Sequence, residues 1–236
     1  MSIIGNLRKI DVFNFLDKNK AKRVIADDSK YAIYSYFKSN VSSEVVEAQK
    51  DVFRSLGLSI NQIQDDTISH GEFMNRVLRD PNSPEYIVFF DIDCIPLSRK
   101  AIELLLSQIL NRQTIAGAAQ TASHLLNGKN LYIGPFFLGI TKSLYHRLGN
   151  PDMRENTFCD VGGLATAIAK FEGNTKIKYW YPSHVEVPKW DLYQKGKFGL
   201  GTTYRGLVYH AFESRLGESD NSFVRKCREV MAKNKL

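Results

Sequence analysis

The sequence predicts an α/β fold, a mostly parallel central sheet flanked by helices, and three observations predict it. The first is the stretch Tyr86 to Leu97, YIVFFDIDCIPL. Its opening residues, Tyr86 to Phe90, are aromatic or β-branched and uncharged, as a strand buried on both faces requires. The second is the order of patterns leading to it: strand, helix, strand, helix, strand, the order of a doubly wound sheet. The third is size: 236 residues with 43% hydrophobic and 24% charged side chains suit one large α/β domain.

The elements follow in order. Residues 6–22 set Leu7, Ile10, Val12, Phe13, Phe15 and Leu16 among charges, a short helix or arm packed on the domain. Tyr31 to Phe37 (YAIYSYF) reads as the first strand. A turn at 38–40 and the Ser42-Ser43 cap open a helix with Glu44 in its first turn and an apolar stripe through Val45, Ala48, Val52 and Phe53. Gly57 ends it. Residues 58–64 give a second strand, and His70 to Leu78 a helix closed by Asp80-Pro81 and Ser83-Pro84.

After the Tyr86 strand, a helix over Ser98 to Leu110 starts from a serine cap and carries Ile102, Leu105, Leu106 and Ile109 toward the sheet. Thr114 to Ala119 is a small-residue strand, followed by a polar connection over 120–129. Leu131 to Ile140 is apolar but broken by Gly134-Pro135, the mark of an edge or bent strand. A short helix over 141–149, a helix over 160–171 started by Asp160, and a strand over Ile177 to Tyr181 come next. Residues 196–206, GKFGLGTTYRG, read as a mobile glycine-rich loop, and Leu207 to Phe212 leads into a charged C-terminal helix.

Several classes are disfavoured. No GxGxxG follows the first strand and no GxxxxGK[ST] occurs, which argues against a simple dinucleotide or P-loop enzyme. No run approaches the roughly eighteen apolar residues of a spanning helix, and the first twenty residues are too charged for a secretory leader. Cys94, Cys159 and Cys227 lack metal-ligand spacing and read as reduced thiols, so the expected location is cytoplasmic. The net charge of +7 is uneven: residues 31–175 carry −2, while residues 1–30 carry +3 and 176–236 carry +6. A basic end suits nucleic acid, an anionic surface, a phosphorylated donor or mere solubility.

The chemistry centres on Asp91 and Asp93, which the Tyr86 strand delivers to its C-terminal edge, where open α/β sheets bind ligands. Paired carboxylates there suit a hard divalent cation, Mg²⁺ or Mn²⁺, shared with substrate phosphates. With no glycine loop, a diphosphate needs another positive partner, and such an ion would be it. FFDIDCIPL resembles the DxD motif of glycosyltransferases of the GT-A fold. The resemblance implies a single domain over 1–236, with a nucleotide- and metal-binding half (31–130), an acceptor half (131–215) and a C-terminal helix (216–236). It implies that Asp91 and Asp93 hold the ion against the diphosphate of a nucleotide sugar, a UDP-sugar above all, and that His210, in VYHAFESR, completes the shell, with Arg215 beside the leaving diphosphate. It also implies base contacts from Ser35 and Tyr36, a hydrogen bond to a uracil imide from Asp65, and nucleotide contacts from Arg76 and Ile92, with His70 a weaker candidate. Asp160, in FCDVGG, has two readings: an N-cap, or the catalytic base on the acceptor hydroxyl. The family's usual Glu-Asp pair is Cys159-Asp160 here, which leaves inversion or retention open. Trp190-Asp191 with Lys195 and Lys197 are candidates for an acceptor wall or lid.

For the acceptor, charge favours a hydroxymethylated DNA base, such as some phage enzymes modify, and a duplex base would have to be flipped from the stack. A surface polysaccharide, lipid-linked glycan or protein glycan is the alternative. Two rivals belong to other classes. A nucleotidyltransferase would show a third carboxylate and a phosphate-gripping glycine turn. An inactive nucleotide-binding module would keep the fold without needing the acids.

Overall fold

The structure is a computed structural model describing residues 21, 23, 24, 27, 29–122, 129–213 and 220–234. The helix or arm expected over 6–22 therefore lies almost wholly outside the described residues. Strands are β1 (Tyr31–Phe37), β2 (Asn61–Gln64), β3 (Tyr86–Asp91), β4 (Cys94–Pro96), β5 (Thr114–Thr121), β6 (Leu131–Thr141), β7 (Lys176–Trp180), β8 (Pro182–Asp191), β9 (Lys197–Tyr204) and β10 (Val208–His210). Helices are α1 (Ser43–Ser55), α2 (His70–Arg79), α3 (Lys100–Ile109), α4 (Lys142–Arg147), α5 (Gly163–Glu172) and α6 (Asp220–Lys233).

The main sheet has the order β2-β1-β3-β6-β5-β7. Its pairs β1–β2, β1–β3 and β5–β7 are parallel, and β6 alone runs against the rest. The expected mostly parallel α/β sheet is thus what the chain forms. β3 is buried on both faces, as its unbroken apolar run demands. Val88 and Phe90 join a core with Phe53 of α1 and with Ile102, Leu105, Leu106 and Ile109 of α3. Ile87 and Phe89 join a second core with Phe73, Met74 and Val77 of α2, Leu144 and Tyr145 of α4, and Ala165 and Ala169 of α5.

A second sheet, β4-β10-β9-β8, is antiparallel throughout. β4 continues directly from β3, so the chain changes sheets within the DxD turn. A third core ties this sheet to the helices: Ile92, Ile95 and Tyr209 pack with Val45 and Val52 of α1 and with Phe223, Cys227 and Val230 of α6. Burial pushes the Cys227 thiol up to about 12, and all three cysteines are free and buried.

Four expectations are corrected. The Leu131 strand is central rather than an edge. Pro135 is tolerated because β3 pairing stops at Phe90–Phe137 and the β5 register skips between Gly117 and Ala119, so the missing N–H falls where the ladders are already interrupted. Residues 197–204 are a strand rather than a mobile loop. A Cβ on Gly199 would lie 2.1 Å from the Val187 carbonyl oxygen, so glycine serves here to let two strands approach. The helix of 100–109 starts at Arg99 without a side-chain cap, not at Ser98. Asp160 does not cap the helix of 163–172, whose N-cap is Gly162 in a left-handed conformation.

Candidate functional site

Asp91 ends β3, Ile92 and Asp93 turn, and Cys94 begins β4. The turn is held from both sides. The amide of Gln49, fully buried on α1, donates to the carbonyls of Asp91 (2.7 Å) and Cys94 (2.9 Å), and its own oxygen accepts from Gln62 at 3.0 Å. From β10, the Ala211 N–H donates to the Asp93 carbonyl at 3.0 Å. Register places His210 opposite Cys94. His210 Nε2 therefore reaches Asp93 Oδ1 at 3.0 Å and Asp91 Oδ2 at 3.9 Å. The imidazole is stacked on Phe136 (centroids 4.3 Å) and close to Phe212 (3.7 Å), which fixes its plane.

Asp91, Asp93 and His210 each offer a ligand atom, all within 4.8 Å of one another. A divalent ion about 2.1 Å from each ligand needs separations of about 3–4 Å, and His210 Nε2 lies 3.0 and 3.9 Å from the two carboxylates, so the set suits an ion such as Mn²⁺ or Mg²⁺. Two carboxylates and one imidazole leave positions for substrate oxygens. Cys94 takes no part: burial first, then Asp91 and Asp93, push its thiol well above the usual range and keep it protonated.

The triad forms one wall of a cleft of about 840 Å³, a size suited to a nucleotide-sized ligand. Tyr36, Lys38 and Asn40, at the end of β1 and just past it, form another wall, His70 starts α2 beside them, and Phe212 packs against His210 with Trp190 beyond it. Arg154 reaches the cleft by a specific route. A Cβ on Gly71 would lie 2.5 Å from the Arg154 Cα, so only glycine lets residues 153–154 cross the first turn of α2. Asn75, buried on that helix, accepts from the Met153 N–H and donates to Asp152. Asp152 in turn takes three hydrogen bonds, 2.6–3.0 Å, from the Arg154 guanidinium. Those bonds hold the Asp152 carboxyl well below the usual carboxylate range, so Arg154 stays pinned at any pH near neutral.

Asp91, Asp93, Ile92, His210 and Tyr36 all line this cleft, together with the weaker candidate His70, whose Nε2 lies 3.6 Å from Asp91 Oδ1. Ser35 is fully buried on β1 and does not line it. Asp65 lies outside it and spends its Oδ1 on the N–H and hydroxyl of Thr67, which lower its pKa. Arg76 faces solvent and pairs with Glu72 at 3.5 Å. Arg215 lies outside the described residues. Asp160 borders a separate cavity of about 140 Å³, which shares Trp190 and Phe212 with the cleft. Lys38, Arg154 and Gln49 were missed. Lys38 sits in a turn, and nothing in the local sequence around Arg154 or Gln49 marks them.

Because the Gln49 amide holds the turn through its backbone carbonyls and not through a ligand atom, Gln49→Leu is expected to weaken Mn²⁺ binding by about 10–100-fold, the usual cost of losing a group that orients ligands. Isothermal titration of Mn²⁺ into both proteins checks it. An unchanged affinity would mean the turn holds its shape without the amide.

No family model and no curated protein sequence matches the chain. Among solved structures it is similar to the mannosyltransferase PcManGT from Pyrobaculum calidifontis in complex with GDP-Man and Mn²⁺, with a TM-score of 0.48 and 11% identity, over 75% of this chain and 64% of that one. The chain thus spans less than two thirds of that protein. It is also similar to A197 from STIV, with a TM-score of 0.40 and 9% identity, over 63% of this chain and 82% of that one. Among the described residues, no helix is long and apolar enough to cross a membrane.

Proposed function

We propose that the chain is a metal-dependent glycosyltransferase of the GT-A type that moves a sugar from a nucleoside-diphosphate sugar to an acceptor hydroxyl. One observation carries the reading: the Asp91–Asp93–His210 triad, set at the C-terminal edge of the central strand and opening into a cleft of nucleotide size. A third carboxylate would have favoured nucleotidyl transfer, and the third group of the triad is an imidazole.

Bound at the triad, a divalent ion supplies Lewis-acid stabilisation of the leaving diphosphate. The chain's own groups do the rest. Lys38, on the cleft wall, can balance the charge that grows on the diphosphate as the anomeric C–O bond breaks, whereas the charge of Arg154 is already met by Asp152. His70, stacked on the buried Tyr36 ring at 5.7 Å, offers a flat face for the base. The acceptor oxygen bonds to the anomeric carbon and yields its proton to Asp160. Residues 31–130 supply the donor half, and 131–215 the acceptor half together with His210.

Thermal melting tests this. In saturating Mn²⁺, UDP or GDP at a hundred times its dissociation constant is expected to add about 2.7 kcal/mol of stabilisation. Melting unchanged by every nucleotide tried, with and without Mn²⁺, would overturn the reading.

A further inference from the structure

Behind the Trp190–Phe212 wall lies the 140 Å³ cavity that contains Asp160. Resting on the transferase reading above, we infer that this cavity is the acceptor subsite and that it takes a neutral sugar ring, so that the acceptor is a glycan hydroxyl rather than a hydroxymethylated nucleobase.

The size comes first. At about 30 Å³ per water molecule, 140 Å³ holds about five waters. That is room for about one six-membered ring, a pyranose or a single flipped base, so the lining decides between them. The lining comes second. Trp190, Phe198 and Phe212 lie with centroids 5.2–5.7 Å apart and planes inclined at 39–56° to one another. They form a bowl, not the pair of parallel plates between which a flat base stacks. A puckered pyranose sets its axial C–H groups on one such ring and turns its hydroxyls to the sides.

The polar groups come third, the Gln120 amide and the Asp160 carboxylate, and both offer acceptor oxygens. The side-chain oxygen of Gln120 is buried with no hydrogen-bond partner. Asp160 accepts from the Val161 N–H and the Tyr132 hydroxyl, both at 2.8 Å. Burial, and then the neighbouring carboxylate, push Tyr132 well above the usual phenol range, so it keeps donating. Acceptor oxygens around an aromatic floor ask for donors, and a sugar carries several hydroxyls. Charge comes last. Among the described residues, no lysine or arginine lines the cavity, whereas the main cleft has Lys38 and Arg154. Lys189, at the rim, is taken by Glu213. A nucleic acid brings a phosphate with every nucleotide and is gripped through cations.

Phe212 also carries a strained backbone, φ +60°, rare for a bulky residue. Its ring thereby stands between His210 and Trp190, at once on the triad and on the cavity. A hydroxyl presented over that rim faces the donor.

The test is saturation-transfer NMR and titration on protein with Mn²⁺ and UDP or GDP. The probes are methyl glucoside, methyl mannoside, methyl galactoside and methyl N-acetylglucosaminide, beside a single-stranded oligonucleotide containing 5-hydroxymethylcytosine. At least one glycoside is expected to bind through its ring protons, at least 10-fold more weakly in Trp190→Ala and in Gln120→Leu. Because Gln120 lies away from the main cleft, Gln120→Leu should leave Mn²⁺-dependent nucleotide binding unchanged. Binding of the oligonucleotide alone, of no probe, or of a glycoside equally well to both variants would overturn the inference. Loss of nucleotide binding in the wild-type protein would instead overturn the transferase reading, and the two failures are separately visible.

Discussion

Asp93→Asn is expected to abolish metal-dependent nucleotide binding while the fold survives. Asp93 is 6% exposed and lies 3.0 Å from His210. An amide keeps its shape but loses the charge that an ion needs. The loss in Mn²⁺ affinity should exceed the roughly 100-fold upper range for groups that merely orient a ligand, and transfer should fall below detection. Without metal, the variant should melt close to the wild type, because the substitution removes a buried charge and creates no cavity. Titration calorimetry with Mn²⁺ and melting in chelator separate the two effects. Full Mn²⁺ affinity in the variant would remove Asp93 from the site.

The largest stability effect should come from Phe137→Ala. Phe137 is wholly buried on β6, edge-on to Phe90 at 5.0 Å and to Trp180 at 4.9 Å, and Phe90 meets Phe53 at 5.2 Å. This aromatic row joins α1, β3, β6 and β7. Removing this inner member loses the transfer energy of the ring and leaves a cavity that strands on both sides cannot close, a cost of about 3–5 kcal/mol. Urea unfolding measures it. Phe171→Ala is the control: Phe171 is 94% exposed, and its loss should stay within about 0.5 kcal/mol. Equal effects in the two would contradict the packing described.

The parallel half was legible in the sequence because its signals are local. β1 spans Tyr31–Phe37 as read, Ser42 caps α1, and β3 runs Tyr86–Asp91, one residue past the apolar stretch. β2 is shorter than read, starting at Asn61, because its pairing with β1 begins at Tyr34–Asn61. The antiparallel sheet was not legible. β8 carries two prolines and mostly exposed side chains, and β9 is interrupted by Gly199 and Gly201, so neither shows alternation. Their pairing is decided by backbone approach at glycine, which leaves no pattern in a single strand. The site divides the same way. The two acids could be read from a strand end, and His210 from its resemblance. Gln49 and Arg154 act from a helix core and a crossing loop, and their roles exist only in three dimensions.

The distance in sequence between His210 and Asp93, 117 positions, has a kinetic meaning. Closing a loop of that length costs the unfolded chain about 4 kcal/mol of entropy. The two acids are made early and can be presented by the parallel half alone, but their third companion arrives only when β10 docks against β4. An ion held by all three would act as a reversible cross-link between the first-made and last-made parts of the chain. Its grip would then report that the second sheet is assembled, and the opening that releases it would be the peeling of β10, not the melting of the core.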